Sequence, residues 1–145
     1  FLHEDKQFAK LKAEIIEMTK ETMDHLSIID QIVPIITGMW AVVNGPGSSN
    51  RLHSHPYNNM SGVFYLQVPK DSGALVFHDP RPGRMMLNLP IKDTSKLCYA
   101  MERQSLKVFP GTLLMFNSYL PHEFKVDNGI DAFRFIHFNI KATPK

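Results

Sequence analysis

Two histidines, His53 and His55, stand one residue apart in the short extended stretch Leu52 to His55, which Pro56 ends. In a strand, residues i and i+2 project from one face, about 6.5 Å apart along the chain. A small bend at the strand end therefore brings both imidazoles within reach of a single ion. His122 follows Pro121 beyond the stretch Thr112–Asn117, far away in sequence. Two near neighbours and one distant residue make a workable metal centre, because the near pair sets part of the geometry and the distant ligand closes the site only when the chain folds. Spacing alone favours the plainer reading, an exposed loop pair and a surface histidine.

Four further histidines carry less signal. His78 adjoins Asp79, which suits either a metal pair or an ordinary turn, and His3 and His25 lie on or beside a helical segment. His137 shares a strand face with Phe133 and Phe135 and reads as a packed or rim residue. Arg134 sits inside the apolar run Ala132-Phe133-Arg134-Phe135-Ile136. Burying a guanidinium there is costly unless it is paired, and its fork suits a carboxylate, from an internal Asp or Glu or from a ligand. Tyr65, in Val63-Phe64-Tyr65-Leu66, shares a face with Val63, and a core-facing tyrosine needs a partner for its hydroxyl. A second donor to the same anion would be such a partner.

The elements that must hold these residues change character at Pro34. Before it, apolar residues recur at Phe8, Leu11, Ile15, Met18, Thr22 or Met23, and Leu26, with Lys and Glu on the other face. That spacing predicts a helix over about 4–27, packed on a sheet. After it come short apolar runs between turn signals. Strands are expected at Ile35–Asn44, Leu52–His55, Gly62–Val68 and Ala74–His78, the last two joined as a hairpin through Lys70-Asp71-Ser72-Gly73. Ser105–Phe109 and Thr112–Asn117 form a second expected hairpin about Pro110-Gly111. Phe124–Val126 and Ala132–Ile140 form a third about Asn128-Gly129. Residues 84–104 read as a long loop with a strand fragment at Leu97–Ala100. One helix followed by roughly eight short strands points to an all-β sandwich or barrel. A parallel α/β sheet is disfavoured, because no helices alternate with the strands.

Composition narrows the class. At 145 residues the chain suits one domain, and 43% hydrophobic against 21% charged residues is enough to bury a core. Sixteen basic and fourteen acidic residues are spread along the chain, so there is no nucleic-acid signature. No apolar run approaches the ~20 residues of a membrane helix. The single cysteine, Cys98, excludes a disulfide framework within the chain and a Cys-rich zinc site, and fits a cytoplasmic setting. No signal peptide is visible. The chain begins at Phe1 rather than Met, which fits a trimmed or partial sequence. There is no Gly-rich phosphate loop, no Gly-x-Ser-x-Gly elbow and no internal repeat.

Taken in order, the motifs resemble those of the iron(II)- and 2-oxoglutarate-dependent oxygenases over about residues 40–140. The order is His53-Ser54-His55, Ser61-Gly62-Val63-Phe64-Tyr65-Leu66, Ser72-Gly73-Ala74-Leu75-Val76-Phe77, Pro110-Gly111-Thr112, Pro121-His122-Glu123 and Arg134-Phe135. The sequence is most similar to the uncharacterised branch with His-x-His-Pro, Ser-Gly-Val-x-Tyr and Asp-Pro-Arg, here His53-Ser54-His55-Pro56, Ser61-Gly62-Val63-Phe64-Tyr65 and Asp79-Pro80-Arg81. The resemblance implies a mainly β, double-stranded β-helix (jelly roll, cupin-like) with the N-terminal helix packed on it. It also implies Fe(II) and 2-oxoglutarate as cofactors, and hydroxylation of a substrate with release of succinate and CO2. By position, His53 and His122 would hold iron, and Arg134 would bind the far carboxylate of 2-oxoglutarate with help from Tyr65. The superfamily usually has Asp or Glu where His55 stands. Either His55 takes that place, or a carboxylate comes from elsewhere with Asp79 the best candidate, or the metal is held weakly or is not iron.

Two other functions compete with a 2-oxoglutarate-dependent hydroxylase: a three-histidine, cupin-type metal enzyme without a keto acid, and a non-enzymatic jelly-roll binding module. The substrate is open between a small molecule and a peptide. The loop Arg84–Gln104 and the segment Tyr57-Asn58-Asn59-Met60 flank the expected site, and Arg81, Arg84, Met85 and Met86 fit an entrance lining and a plain surface loop equally well. The Met-rich helix could serve a homodimer as readily as it covers the sheet.

Overall fold

The computed structural model describes residues 1–72, 74–83, 89–96, 98 and 100–145. Two 3-10 turns, Leu2–Glu4 and Lys6–Phe8, lead into helix α1, Ala9–His25. Asp5 caps the second turn, its carboxylate accepting the Gln7 N–H at 2.9 Å. The helix buries Ile15, Thr19 and Met23, four residues apart on one face. Thr19 is tolerated there because its hydroxyl donates to the Ile15 carbonyl at 2.7 Å.

Eight strands follow: β1 Ile32–Asn44, β2 Asn50–His53, β3 Met60–Gln67, β4 Leu75–His78, β5 Arg103–Ser105, β6 Leu113–Asn117, β7 His122–Phe124 and β8 Phe133–Pro144. They form two four-stranded antiparallel sheets, ordered β1-β8-β3-β6 and β2-β7-β4-β5. This is a jelly roll. Pro34, which lacks a donor, sits within β1, an edge strand of its sheet.

β8 explains the layering. Ile136, Phe138 and Ile140 pack under the helix with Ile15, Met23, Ile36, Met39 and Met60. Phe133 and Phe135 face the other way and pack between the sheets with Val63, Tyr65, Leu75, Phe77 and Phe124. A strand covered on both faces reads as a nearly continuous apolar run. β3 crosses at the tightest point. A Cβ on Gly62 would stand 2.6 Å from the Leu114 carbonyl oxygen and collide with the Phe138 ring. Glycine is needed there for close approach, not for a turn.

The three expected hairpins do not form. β3 and β4 lie in different sheets, as do β7 and β8. β6 pairs with β3, and β5 pairs with β4; residues 106–109 form no strand. Turn residues fix where the chain bends, but a jelly roll sends most consecutive strands to opposite sheets, so pairing is non-local. The expected fragment at Leu97–Ala100 lies partly outside the described residues, and Cys98 and Ala100 are not in strands.

Candidate metal centre

β2 and β7 pair so that His53 stands opposite His122. His55 lies two residues beyond the end of β2, and its backbone is fixed by the turn after β6. The His55 N–H donates to the Ser118 carbonyl at 2.9 Å. Ser118 is held in turn by a buried network in which the Ser61 hydroxyl donates to Asn139 Oδ1 at 2.6 Å and lies 2.7 Å from the Ser118 hydroxyl. Residues of β3, β8 and the turn after β6 thus aim the second histidine at the first.

One nitrogen each from His53, His55 and His122 lies within 4.8 Å of the other two, which makes the three a metal-sized group. His55 Nε2 and His122 Nε2 are 3.2 Å apart. Imidazole nitrogens bind a first-row ion at about 2.0–2.1 Å, so adjacent ligand atoms stand about 3 Å apart. The ring orientations are set from outside the cluster. His122 Nδ1–H donates to the Leu120 carbonyl at 2.8 Å, and His53 Nδ1–H to the Arg51 carbonyl at 2.7 Å. In a neutral ring each bond places the proton on Nδ1 and leaves Nε2 free to bind a cation, as the outer hydrogen bonds of metal-bound histidines do.

A fourth ring adjoins the group. His137 Nε2 is 3.1 Å from His55 Nε2, and the His137 ring stacks on Trp40 with centroids 4.6 Å apart. With His122 Nε2 bare, no set of neutral tautomers gives both short contacts of His55 Nε2 their own proton. A proton on His55 must be shared between two acceptors. A proton on His137 instead leaves the lone pairs of His55 and His122 opposed. A cation at the centre removes the conflict, since the lone pairs then converge on positive charge. The residues therefore fit a bound metal ion.

Burial favours the neutral form of His55, His137 and His122. Burial pushes His55 down to about 4, helped by the neighbouring His122 and His53. Burial lowers His137 to about 3, with His55 the next cause. His122 is also lowered by burial, partly offset by its bond to Leu120. Neutral imidazole is the form that ligates metal.

The remaining sequence candidates fall in different places. Asp79 is not in the cluster: its carboxylate is taken by Arg81, with Nη2 2.5 Å from Oδ2. His78 pairs with Glu123, Nε2 to Oε1 3.0 Å. Arg134 was expected to point into the barrel beside the metal, and it points out. Phe133 and Phe135 take the inward positions of β8, strand alternation turns Arg134 outward, and its guanidinium donates to Gln67 Oε1. Among the described residues every lysine and arginine is exposed, so no cation lines the interior. Tyr65 is fully buried, as expected for a core-facing residue, but its hydroxyl has no partner, and burial raises its pKa above the usual tyrosine value. Sequence reasoning read His137 only as a packed or rim residue, and passed over Trp40 and Ser118. For His137 the signal was its shared parity with Phe133 and Phe135. For Trp40 and Ser118 there was none, because their roles depend on strand register.

A family model described as "Putative 2OG-Fe(II) oxygenase" matches residues 38–139, a span that contains all four clustered histidines. The chain belongs to this oxygenase family. Fe(II) and 2-oxoglutarate are the cofactors that give the family its name, and the three-histidine group suits Fe(II). No curated protein sequence matches the chain. Solved structures share the fold at low identity. A 2OG-Fe(II) oxygenase family oxidoreductase from Burkholderia pseudomallei aligns with TM-score 0.56 and 13% identity over 74% of this chain and 45% of its own. A non-heme alpha ketoglutarate dependent epimerase from nogalamycin biosynthesis gives 0.54 and 11%, over 77% and 50%. EvdO2 from Micromonospora carbonacea var. aurantiaca, solved in complex with 2-oxoglutarate, gives 0.51 and 13%, over 99% and 64%. The chain thus spans about half the length of the first two. No helix among the described residues of this family member is long and apolar enough to cross a membrane.

Proposed function

We propose that residues 1–145 form one oxygenase-like jelly-roll domain that binds Fe(II) through His53, His55 and His122 and oxidises an organic substrate with 2-oxoglutarate as cosubstrate. The observation that carries this reading is the convergence of three imidazoles, two of which, His53 and His122, have ring orientations fixed from outside the group. His-x-His-Pro and Ser-Gly-Val-x-Tyr then have physical roles: they supply the near ligand pair, the serine that fixes His55 through Ser118, the close crossing at Gly62 and the buried Tyr65 hydroxyl. The single cysteine suits a cytoplasmic setting.

Each residue's part can be stated separately. His122, buried at the barrel wall, closes the site, while exposed His53 leaves it open to solvent on one side. Three neutral ligands leave the full charge of a divalent ion uncompensated, which favours an anionic ligand such as a carboxylate. Tyr65 Oη–H, unpartnered inside the barrel, is a donor available to such an anion. Bound iron with the keto acid would supply the electrons that activate dioxygen, the oxidant; the protein supplies the binding atoms and an apolar interior. The substrate, a small molecule or a peptide, would meet the rim near Tyr57, which is 93% exposed two residues after His55.

A second reading is favoured by one observation: no described lysine or arginine faces the interior to meet the far carboxylate of 2-oxoglutarate. A three-histidine, cupin-type centre that works without a keto acid needs none. Turnover separates the two. Incubating Fe(II)-loaded protein with 2-oxoglutarate and oxygen should release succinate above a His122→Ala control. One equivalent of bound iron with no keto-acid binding or succinate would favour the second reading.

A further inference from the structure

Beyond the three ligating histidines, we infer that His137 forms an anion subsite of this centre, donating Nε2–H to a carboxylate oxygen coordinated to the metal. The inference rests on the metal-site reading above. His137 is buried, 6% exposed, and its ring is clamped against Trp40, so it holds one orientation. Its Nδ1 is buried with no partner, whereas Nε2 has an acceptor, His55 Nε2, at 3.1 Å. The proton therefore belongs on Nε2. Among the group His137 touches only His55, and it is not one of the three residues whose nitrogens converge within 4.8 Å. This places it beside the coordination shell, not in it. Once a metal claims the His55 lone pair, the His137 N–H loses its acceptor and faces the centre. A coordinated carboxylate restores the bond, in a barrel whose described residues offer no interior cation. The keto acid of the proposed reaction is one source of that carboxylate.

The test uses Co(II) as a spectroscopic probe, with acetate and 2-oxoglutarate titrated separately against the Co(II)-loaded protein. His137→Phe should bind Co(II) within about threefold of wild type but bind acetate about tenfold more weakly, the scale of one hydrogen bond to a charged group. His137→Gln, which keeps a donor, should restore most of the acetate affinity and serves if the Phe variant folds poorly. An equal loss with 2-oxoglutarate assigns the contact to the keto acid; a loss with acetate alone assigns it to another carboxylate ligand. Unchanged acetate affinity in both variants overturns the inference while leaving the metal site standing. A fall in Co(II) affinity as large as that of His122→Ala also overturns it, since His137 is then a ligand. Wild-type protein that binds no Co(II) overturns the metal-site reading and this inference together.

Discussion

His55 and His122, separated by 67 positions in the chain, bring their Nε2 atoms to 3.2 Å. The distance arises because β2 and β7 pair in one sheet while the other sheet, through Ser61 and Ser118, holds the His55 backbone. The site therefore depends on both sheets. Replacing Ser61 by Ala should lower metal affinity several-fold with no ligand removed, because it frees Ser118 to move. Calorimetric titration of Co(II) would show it, and unchanged affinity would mean that His55 is positioned without this network.

The Arg134 guanidinium lies outside the barrel, on Gln67. Arg134→Ala should leave 2-oxoglutarate affinity within about twofold of wild type and cost at most ~1 kcal/mol of stability, as expected of an exposed polar contact. A large loss of keto-acid affinity in this variant would show that the side chain turns inward on binding.

Tyr65 has the opposite character. Its hydroxyl is desolvated and unpartnered in the metal-free protein. Tyr65→Phe should therefore raise stability by about 1–2 kcal/mol, read from urea unfolding, and weaken keto-acid binding to the metal-loaded protein. A destabilised variant would show that the hydroxyl already has a partner, such as a water.

Stability should depend on pH through the buried imidazoles. The unfolded chain protonates these histidines near 6.5, while burial holds His55 to about 4 and His137 to about 3 in the fold. Between those values the unfolded state binds more protons, so stability rises with pH there and levels off above about 6.5. The urea midpoint of the metal-free protein should fall between pH 7.5 and pH 4.5, and fall less in His137→Phe. An equal fall in both would place the acid sensitivity elsewhere.

Packing gives the sharpest single-residue prediction. At Gly62 an added methyl meets the Leu114 carbonyl at 2.6 Å and the Phe138 ring, with backbone on one side and a buried ring on the other. Gly62→Ala should cost several kcal/mol, ~3 or more by the scale of strained overpacking, and lower the melting temperature sharply. A near-normal melt would mean that β3 and β6 can separate without loss.

How far the chain could be read in advance follows from locality. The helix was legible because Phe8, Leu11, Ile15, Met18 and Leu26 recur at local spacing, and the strands because turn residues bound each apolar run. The His53–His55 pair was legible because its spacing is local too. Pairing was not: the Asn128-Gly129 turn resembles a hairpin signal, yet β7 and β8 enter different sheets. Arg134 was expected inward from the oxygenase resemblance, although alternation with Phe133 and Phe135 allows only one of the two residue sets to face the barrel. His137 became part of the site only through the register that sets it opposite Trp40 and Val63.

The claim that His53, His55 and His122 form an iron centre is met most directly by anaerobic titration of Fe(II) into the metal-free protein with 2-oxoglutarate present. The visible charge-transfer band of a keto acid chelated to Fe(II) should grow to saturation at one equivalent. It should vanish in His122→Ala and persist in Arg134→Ala. Absence of tight iron binding in the wild-type protein, or a band that survives His122→Ala, would contradict the account.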